Sequence, residues 1–178
     1  MTTTVYDLDP VHSHIGFSVR HMMVSQQRGQ FRGASGTLTL DRADLAKSRV
    51  EVSIDVATIN TQVTDRDNHL LSADFFDAAS HPKITFVSRE VQVKDDGELR
   101  VTGDLTIRGT TRSIVLNAEP ISEESKDPYG NIRVGTSVTG KISRKDFGLV
   151  WNAILETGGV ALGDDVKLML DVQFQRKP

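Results

Sequence analysis

Cysteine is absent from this sequence of 178 residues, which excludes disulfide bonds, thiolate metal sites and a cysteine nucleophile. No run approaches the roughly 18 consecutive apolar residues that span a bilayer, so we expect no integral membrane segment. Positive charge is not in excess, because 21 Lys and Arg are opposed by 24 Asp and Glu, and the net charge is −3. This balance argues against nucleic acid as a partner and against a general affinity for anionic membranes, but it leaves room for a local basic patch.

The first ten residues, MTTTVYDLDP, lack the basic segment and apolar run of a signal peptide. We therefore expect a cytoplasmic location for the chain as given, and a periplasmic one if it is a processed mature form. A length of 178 residues with 38% hydrophobic residues is enough for one substantial core. Since no linker or internal repeat is visible, we predict one domain over residues 1–178.

Apolar and polar residues alternate with a period of two along much of the chain, which is typical of strands with one apolar face. The clearest alternating segments are residues 15–19, 50–56, 101–107 and 166–174. Turn-forming residues occur at 95–97, 108–110, 127–131 and 163–165. Many strands joined by short turns predict an antiparallel meander, closed either as a sandwich or as a barrel. The polar segment at residues 119–133 predicts disorder.

One segment has a different pattern, because residues 64–71 predict a short α-helix. Thr64 is a suitable N-cap, and Asp65 and Asp67 follow in the first turn, where the helix dipole favours negative charge. An apolar cluster on and after this helix consists of Leu70, Leu71, Phe75 and Phe76. Such a helix either covers one end of a barrel as a lid or fills that end as ordinary core.

The residues that bear reactive groups do not form a complete catalytic set. His12 and His14 have the spacing of metal ligands on a strand face, but a third ligand is lacking, so we expect no metal site. Arg66 and His69 lie among acidic residues and are best explained as an ion-pair network. The glycine-rich residues 157–160 lack the Lys and Ser/Thr of a phosphate loop, which favours a loop or bulge. The single tryptophan, Trp151, fits either a barrel rim or the core.

Four segments, spread over almost the whole chain, resemble the motifs of the YceI-like family of polyisoprenoid-binding, lipocalin-like proteins. They are Tyr6-x-Leu8-Asp9-x-x-His12-Ser13-x-Ile15-x-Phe17-x-Val19-x-His21; Arg66-Asp67-x-His69-Leu70-x-Ser72-x-x-Phe75 with His81-Pro82-x-Ile84-x-Phe86; Gly103-Asp104-Leu105-Thr106-Ile107-x-Gly109-x-Thr111-Arg112; and Gly140-x-Ile142-Ser143-Arg144-x-Asp146-Phe147-Gly148.

This resemblance implies an all-β fold, an extended eight-stranded antiparallel β-barrel that is lipocalin-like and has a short helical lid. It also implies a lumen that encloses a long isoprenoid lipid, because a barrel of eight strands either fills with side chains or holds one slim ligand. The helix would then be the gate at one end. His14 is not part of the resemblance, which weakens the case for metal binding further.

The expected function is binding, storage or transport of an amphiphilic isoprenoid lipid, either a polyprenyl phosphate or pyrophosphate or an isoprenoid quinone precursor. We expect no catalysis and no cofactor other than this lipid. Alternation and the helix predict a ligand-lining set of Phe17, Val19, Phe31, Leu38, Ile54, Leu70, Leu71, Phe75, Phe76, Phe86, Leu105, Val138, Ile142, Leu168 and Leu170. The candidates for head-group contact are Arg66, His69 and His21, which otherwise serve as a structural network between helix and barrel.

Two other functions stay open at this stage. One is a metal-dependent hydrolase that acts on an isoprenoid pyrophosphate, and the other is a structural or stress-protective protein with a filled barrel and no ligand. Barrel rims often pair, so a homodimer is one expected state.

Overall fold

The computed structural model describes residues 3–153, 155 and 160–178, and these form twelve strands and one α-helix. The strands are β1 (Thr3–Leu8), β2 (His14–His21), β3 (Ser25–Phe31), β4 (Ala34–Asp41), β5 (Arg49–Asp55), β6 (Ile59–Asn60), β7 (Lys83–Val93), β8 (Leu99–Ile107), β9 (Thr110–Ala118), β10 (Ser125–Lys126), β11 (Ile132–Ser143) and β12 (Leu162–Arg176). The helix α1 spans Thr64–Leu71, and short 3-10 turns occupy Leu45–Lys47, Val56–Thr58 and Arg144–Phe147.

Strand pairing closes the sheet into an eight-stranded antiparallel barrel, in the order β1, β4, β5, β7, β8, β9, β11, β12 and back to β1. The long strand β12 pairs with β11 on one side and with β1 and then β2 on the other. Strands β3 and β6 extend the wall beyond β2. The meander is therefore a closed barrel rather than a sandwich, and the predicted fold is confirmed.

The barrel has two ends with different contents. The helix end carries α1, the β2–β3 turn, the β8–β9 turn and the 3-10 turn at Arg144–Phe147. The opposite end carries the β7–β8 turn and the β10–β11 hairpin, and it is filled by a cluster of buried side chains: Tyr6, Leu8, Leu38, Leu40, Val134 and Phe174.

The buried Tyr6 also ties this opposite end together through its hydroxyl. Its O–H donates to Glu124 Oε1 at 2.6 Å, and burial together with this bond raises the pKa of Tyr6 to about 12.

Alternation predicted the inward faces because successive side chains of a strand point to opposite faces. In β12 every second residue from Val166 to Phe174 faces the interior. The predicted turns at 95–97, 108–110 and 127–131 are also present.

The predicted turn at residues 163–165 is wrong, because these residues lie within β12. There the register against β2 shifts, so that Leu162 pairs with His21 while Val166 pairs with Val19. Four residues along β12 therefore correspond to two along β2, which is a β-bulge. Glycine is common in bulges as it is in turns, so the sequence pattern did not distinguish the two.

The predicted disorder of residues 119–133 is also wrong. Strand β10 pairs there with the start of β11. Asp127 Oδ1 accepts hydrogen bonds from the backbone N–H groups of Tyr129 and Asn131, both at 2.9 Å. Arg133 then donates to Asp127 Oδ2 at 2.8 Å and also to the distant Asp9.

The helix α1 has the predicted bounds, but Thr64 lies inside it and does not cap it. Val63 is the N-cap residue and contributes no side-chain bond. Ser72 ends the helix, since its hydroxyl donates to the His69 carbonyl at 2.6 Å. Among the described residues, no helix has the length and apolar character to cross a bilayer.

Candidate functional site

A cavity of about 320 Å³ occupies the barrel interior and is lined by side chains from the barrel strands, α1 and the 3-10 turn at Arg144–Phe147. The lining is aliphatic and aromatic except at the helix end. The polar residues in its lining are His21, Gln27, Arg28, Thr61, Arg66 and Arg144. Among the described residues, no Asp or Glu lines this cavity.

A smaller cavity of about 100 Å³ lies toward the opposite end of the barrel. The two cavities border each other, because both are lined by Val50, Val101, Ala118, Val138, Val172 and Phe174. The empty space is thus arranged along the barrel axis as a lumen with an apolar body and a polar, basic end.

All but three of the side chains that the sequence predicted for the ligand site line the larger cavity. They are Phe17, Val19, His21, Phe31, Ile54, Arg66, Leu70, Phe75, Phe76, Phe86, Leu105, Val138, Ile142, Leu168 and Leu170. Leu38 lines the smaller cavity instead. His69 and Leu71 line neither cavity, and Leu71 packs against the core.

Sequence reasoning missed other lining residues, and some of them had a visible signal. Val50, Val52, Val166, Val172 and Phe174 continue the same alternations and line the larger cavity. The polar residues Gln27, Arg28 and Arg144 carried no such signal, because alternation marks only apolar positions.

Arg66 joins α1 to the barrel wall through neutral acceptors. Its Nε donates to Thr61 Oγ1 at 2.8 Å, its Nη2 to the Thr61 carbonyl at 2.5 Å, and its Nη1 to Gln27 Oε1 at 3.0 Å. Asp67 accepts the Thr61 N–H at 2.9 Å. The predicted ion-pair network is therefore mainly a hydrogen-bond network centred on Thr61, and no described carboxylate is in direct contact with the guanidinium of Arg66.

Arg144 is 5% exposed and lies between three backbone carbonyls. Its Nε donates to Gly163 at 2.8 Å, and its Nη1 donates to Leu149 at 2.6 Å and to Trp151 at 2.8 Å. Its Nη2 is buried without a hydrogen-bond partner among the described residues, and Asp164 Oδ1 is 3.9 Å from it. Burial lowers the pKa of Arg144, and the charge of Asp164 opposes this shift only in part.

An aromatic cluster lies beside the lumen at the helix end. The Trp151 ring is half-buried, with its centroid 4.6 Å from that of His69 and 5.3 Å from that of Phe75. The ring nitrogen Nε2 of His69 has a hydrogen-bond partner, because it lies 2.8 Å from Asp74 Oδ2. Arg108 Nη1 donates to the Phe75 carbonyl at 2.7 Å and links the segment after α1 to the β8–β9 turn.

The two histidines considered as metal ligands do not share a strand face, because β2 begins at His14 and His12 lies in the preceding bend. His12 Nδ1 is 2.7 Å from Asp9 Oδ2. In the part of the chain that the structure describes, no group of three His, Asp or Glu residues lies close enough to hold a metal ion. The glycines of the predicted loop at 157–160 lie outside the described residues.

A closed eight-stranded antiparallel barrel with an apolar lumen and one polar end defines a lipocalin-like barrel. Residues 6–174 match the family described as the YceI-like domain, and the chain belongs to that family. A UPF0312 protein of Staphylococcus epidermidis is 40% identical over 172 residues, which covers 96% of this chain and 97% of the relative.

Solved structures with the same fold include BcnA of Burkholderia cenocepacia, with a TM-score of 0.81 and 21% identity over 93% of this chain and 98% of that one. A polyisoprenoid binding domain from Saccharophagus degradans has a TM-score of 0.71 and 17% identity over 98% of this chain and 99% of that one. At these identities the two similarities show the fold alone.

Proposed function

We propose that this protein binds one long, linear isoprenoid lipid in the barrel lumen, with the polar head at the helix end, and serves as a carrier or store for it. The observation that supports this most is the lining of the larger cavity, which among the described residues is apolar along its body and has polar residues at one end. An amphiphile with a long apolar tail and one polar head matches this distribution of apolar and polar lining residues. A protein with this fold from Saccharophagus degradans is described as a polyisoprenoid binding domain.

The dimensions of the barrel suit a chain rather than a compact ligand. Strand β11 has 12 residues, which corresponds to about 40 Å of extended strand. With a strand tilt of about 40°, the barrel wall is about 30 Å high. A chain that lies along this height loses its contact with water, which is favourable by about 25 cal/mol for each Å² of apolar surface.

The charges at the helix end favour a phosphate or pyrophosphate head over the ring of a quinone precursor. Arg28, Arg66 and Arg144 line the cavity, and no described carboxylate lines it. Among the described residues the half-buried Arg66 donates only to neutral acceptors, and arginine forms paired, charge-assisted hydrogen bonds with phosphate oxygens. His21 lines the same end, whereas His69 acts only as support for the aromatic cluster.

The proposal is tested by titrating delipidated protein with a polyprenol, the matching polyprenyl phosphate and a quinone of similar chain length. Trp151, the only tryptophan, lies beside Phe75 of the lumen and reports occupancy by its fluorescence. We expect saturable 1:1 binding of all three lipids and the tightest binding for the phosphate. The variant Arg28→Gln should weaken phosphate binding and leave polyprenol binding unchanged.

Arg100→Gln is the matched control, because Arg100 is exposed on β8 and does not line the lumen. It should bind all three lipids as the original protein does. Equal affinity for phosphate and polyprenol would contradict the assignment of the head group. Failure to bind any of the three lipids would contradict the carrier function.

A further inference from the structure

The β2–β3 turn presents bulky apolar side chains to solvent in a backbone conformation that disfavours them. Met22 and Met23 are the two central residues of this turn, and the Val24 N–H donates to the His21 carbonyl at 3.0 Å. Both methionines have positive φ, 56° and 57°. A hairpin turn of this kind strongly prefers Asn-Gly, because glycine has no Cβ and asparagine tolerates positive φ, whereas larger apolar residues are strained there. Neither the strain nor the exposure improves the barrel itself.

The exposed apolar surface at this turn is large for so short a segment. Met22 is 42% exposed, Met23 is 63% exposed and Val24 is 80% exposed. The Met22 N–H donates to the Ala161 carbonyl at 2.7 Å, which holds the turn against the start of β12, where Val160 is also exposed. We call Met22, Met23, Val24 and Val160 the apolar rim.

The apolar rim is continuous with the polar end of the lumen. His21, the residue directly before Met22, lines the larger cavity, and so does Arg28 on the paired strand β3. A surface that contacts the rim therefore lies next to the place where a lipid head would enter or leave.

Two arginines flank the rim. Arg20 is exposed and donates only to the Met23 carbonyl, at 3.4 Å, while Arg28 is exposed on β3. No ion pair among the described residues involves either arginine. Apolar side chains at a tip with basic residues behind them are the arrangement by which proteins rest on anionic lipid surfaces.

We propose that the apolar rim docks the barrel onto a lipid bilayer, with Met22, Met23 and Val24 in the interfacial layer and Arg20 and Arg28 against anionic head groups. The bilayer is the occupant that fits both features, since the rim offers apolar side chains and unpaired positive charge together. This inference goes beyond lipid binding in the lumen and does not depend on which lipid the lumen holds.

The test is flotation of the protein with vesicles of phosphatidylcholine alone and of phosphatidylcholine with about one third phosphatidylglycerol. The vesicles contain no isoprenoid, so the outcome is independent of occupancy of the lumen. We expect the protein to float with both vesicles, and more strongly with the anionic one. High salt should weaken flotation with the anionic vesicle and leave flotation with phosphatidylcholine alone unchanged.

The decisive variant is Met22→Asn with Met23→Gly, because Asn-Gly suits this turn and the fold is retained. Vesicle partitioning should fall by about tenfold or more. Arg20→Gln, at a residue that does not line the lumen, should remove only the preference for the anionic vesicle. The matched control, Val11→Ser with Tyr129→Ser, removes two exposed apolar side chains away from the rim and should float as the original protein does.

Three results would overturn the proposal. The first is that the original protein floats with neither vesicle. The second is that the Asn-Gly variant floats as strongly as the original protein. The third is that this variant changes only the sedimentation behaviour, from a dimer to a monomer, which would assign the rim to a second copy of the chain.

Discussion

A single buried guanidinium connects the two segments that flank the helix end of the lumen. Arg144 donates to carbonyls of Leu149 and Trp151 on one segment and of Gly163 on the other. Without it, one buried and two partly buried carbonyls lose this donor. A buried acceptor left without a partner is destabilising, and more so when the lost donor is charged.

We therefore predict that Arg144→Met lowers the free energy of unfolding by about 3 kcal/mol. Arg144→Lys should recover only part of this loss, because one ammonium group cannot reproduce the geometry of the guanidinium. Urea unfolding, followed by circular dichroism, measures both variants. Stability equal to the original protein in Arg144→Met would show that the carbonyl contacts contribute little.

The cluster of Arg133 with Asp9 and Asp127 predicts a loss of stability in acid. The hydrogen bond from Arg133 lowers the pKa of Asp127 to about 2. Burial raises the pKa of Asp9, but the bonds from His12 and Arg133 outweigh it and the net shift is downward. Since these folded-state pKa values lie below the unfolded ones, the stabilisation is present above about pH 4 and is lost as the pH falls toward 2.

Unfolding in urea at a series of pH values between about 5 and 2 measures this effect. The variant Arg133→Met should be less stable at pH 5 and should lose less further stability toward pH 2 than the original protein does. Parallel curves for the two proteins would contradict the assignment of the acid effect to this cluster.

At the scale of elements, the segment after α1 is attached to the barrel through the β8–β9 hairpin. Arg108 occupies the turn with positive φ, 49°, followed by Gly109 at 73°, and donates to the Phe75 carbonyl. Positive φ is unfavourable for a residue other than glycine, and at Arg108 the hydrogen bond to Phe75 offsets this cost. If the helical segment is the gate of the lumen, this contact holds the gate closed.

We predict that Arg108→Asn speeds dissociation of a bound lipid several-fold, with little effect on stability. Asn-Gly suits a two-residue hairpin turn, so the hairpin remains while the bond to Phe75 is lost. Stopped-flow measurement of Trp151 fluorescence during lipid exchange gives the rate. Arg100→Asn, at an exposed position of β8, should exchange at the original rate, and equal rates for all three proteins would exclude a gate at the Arg108–Phe75 contact.

At the scale of the whole molecule, the lumen sets a length for its ligand. Val138 lines both cavities, so it lies where a long chain would pass from one to the other. We predict that Val138→Phe shifts the retained lipids to shorter chains, at a cost of about 1–2 kcal/mol in stability. Thr139→Phe, at the exposed neighbouring position, should leave the chain lengths unchanged, as mass spectrometry of lipids taken up from a mixture will show.

The sequence predicted the barrel wall well because strand register requires a strict period of two, which is visible in residues 166–174. It predicted the lumen only through resemblance, because whether a barrel is filled depends on the sizes of side chains that meet across it. Arg144 was missed since its partners are backbone carbonyls, which leave no mark in a sequence. The order in residues 119–133 was missed because it rests on Arg133 and Asp9, which are 124 positions apart.

The central claim is that the lumen holds an isoprenoid lipid, and the most direct measurement is native mass spectrometry of the purified protein. Organic extraction of the same sample, followed by lipid analysis, identifies any bound molecule. We predict one linear isoprenoid for each chain, released on unfolding and restored when the delipidated protein is given the lipid. Repeated preparations without any stoichiometric amphiphile, together with no uptake of added polyprenols, polyprenyl phosphates or quinones, would contradict the claim.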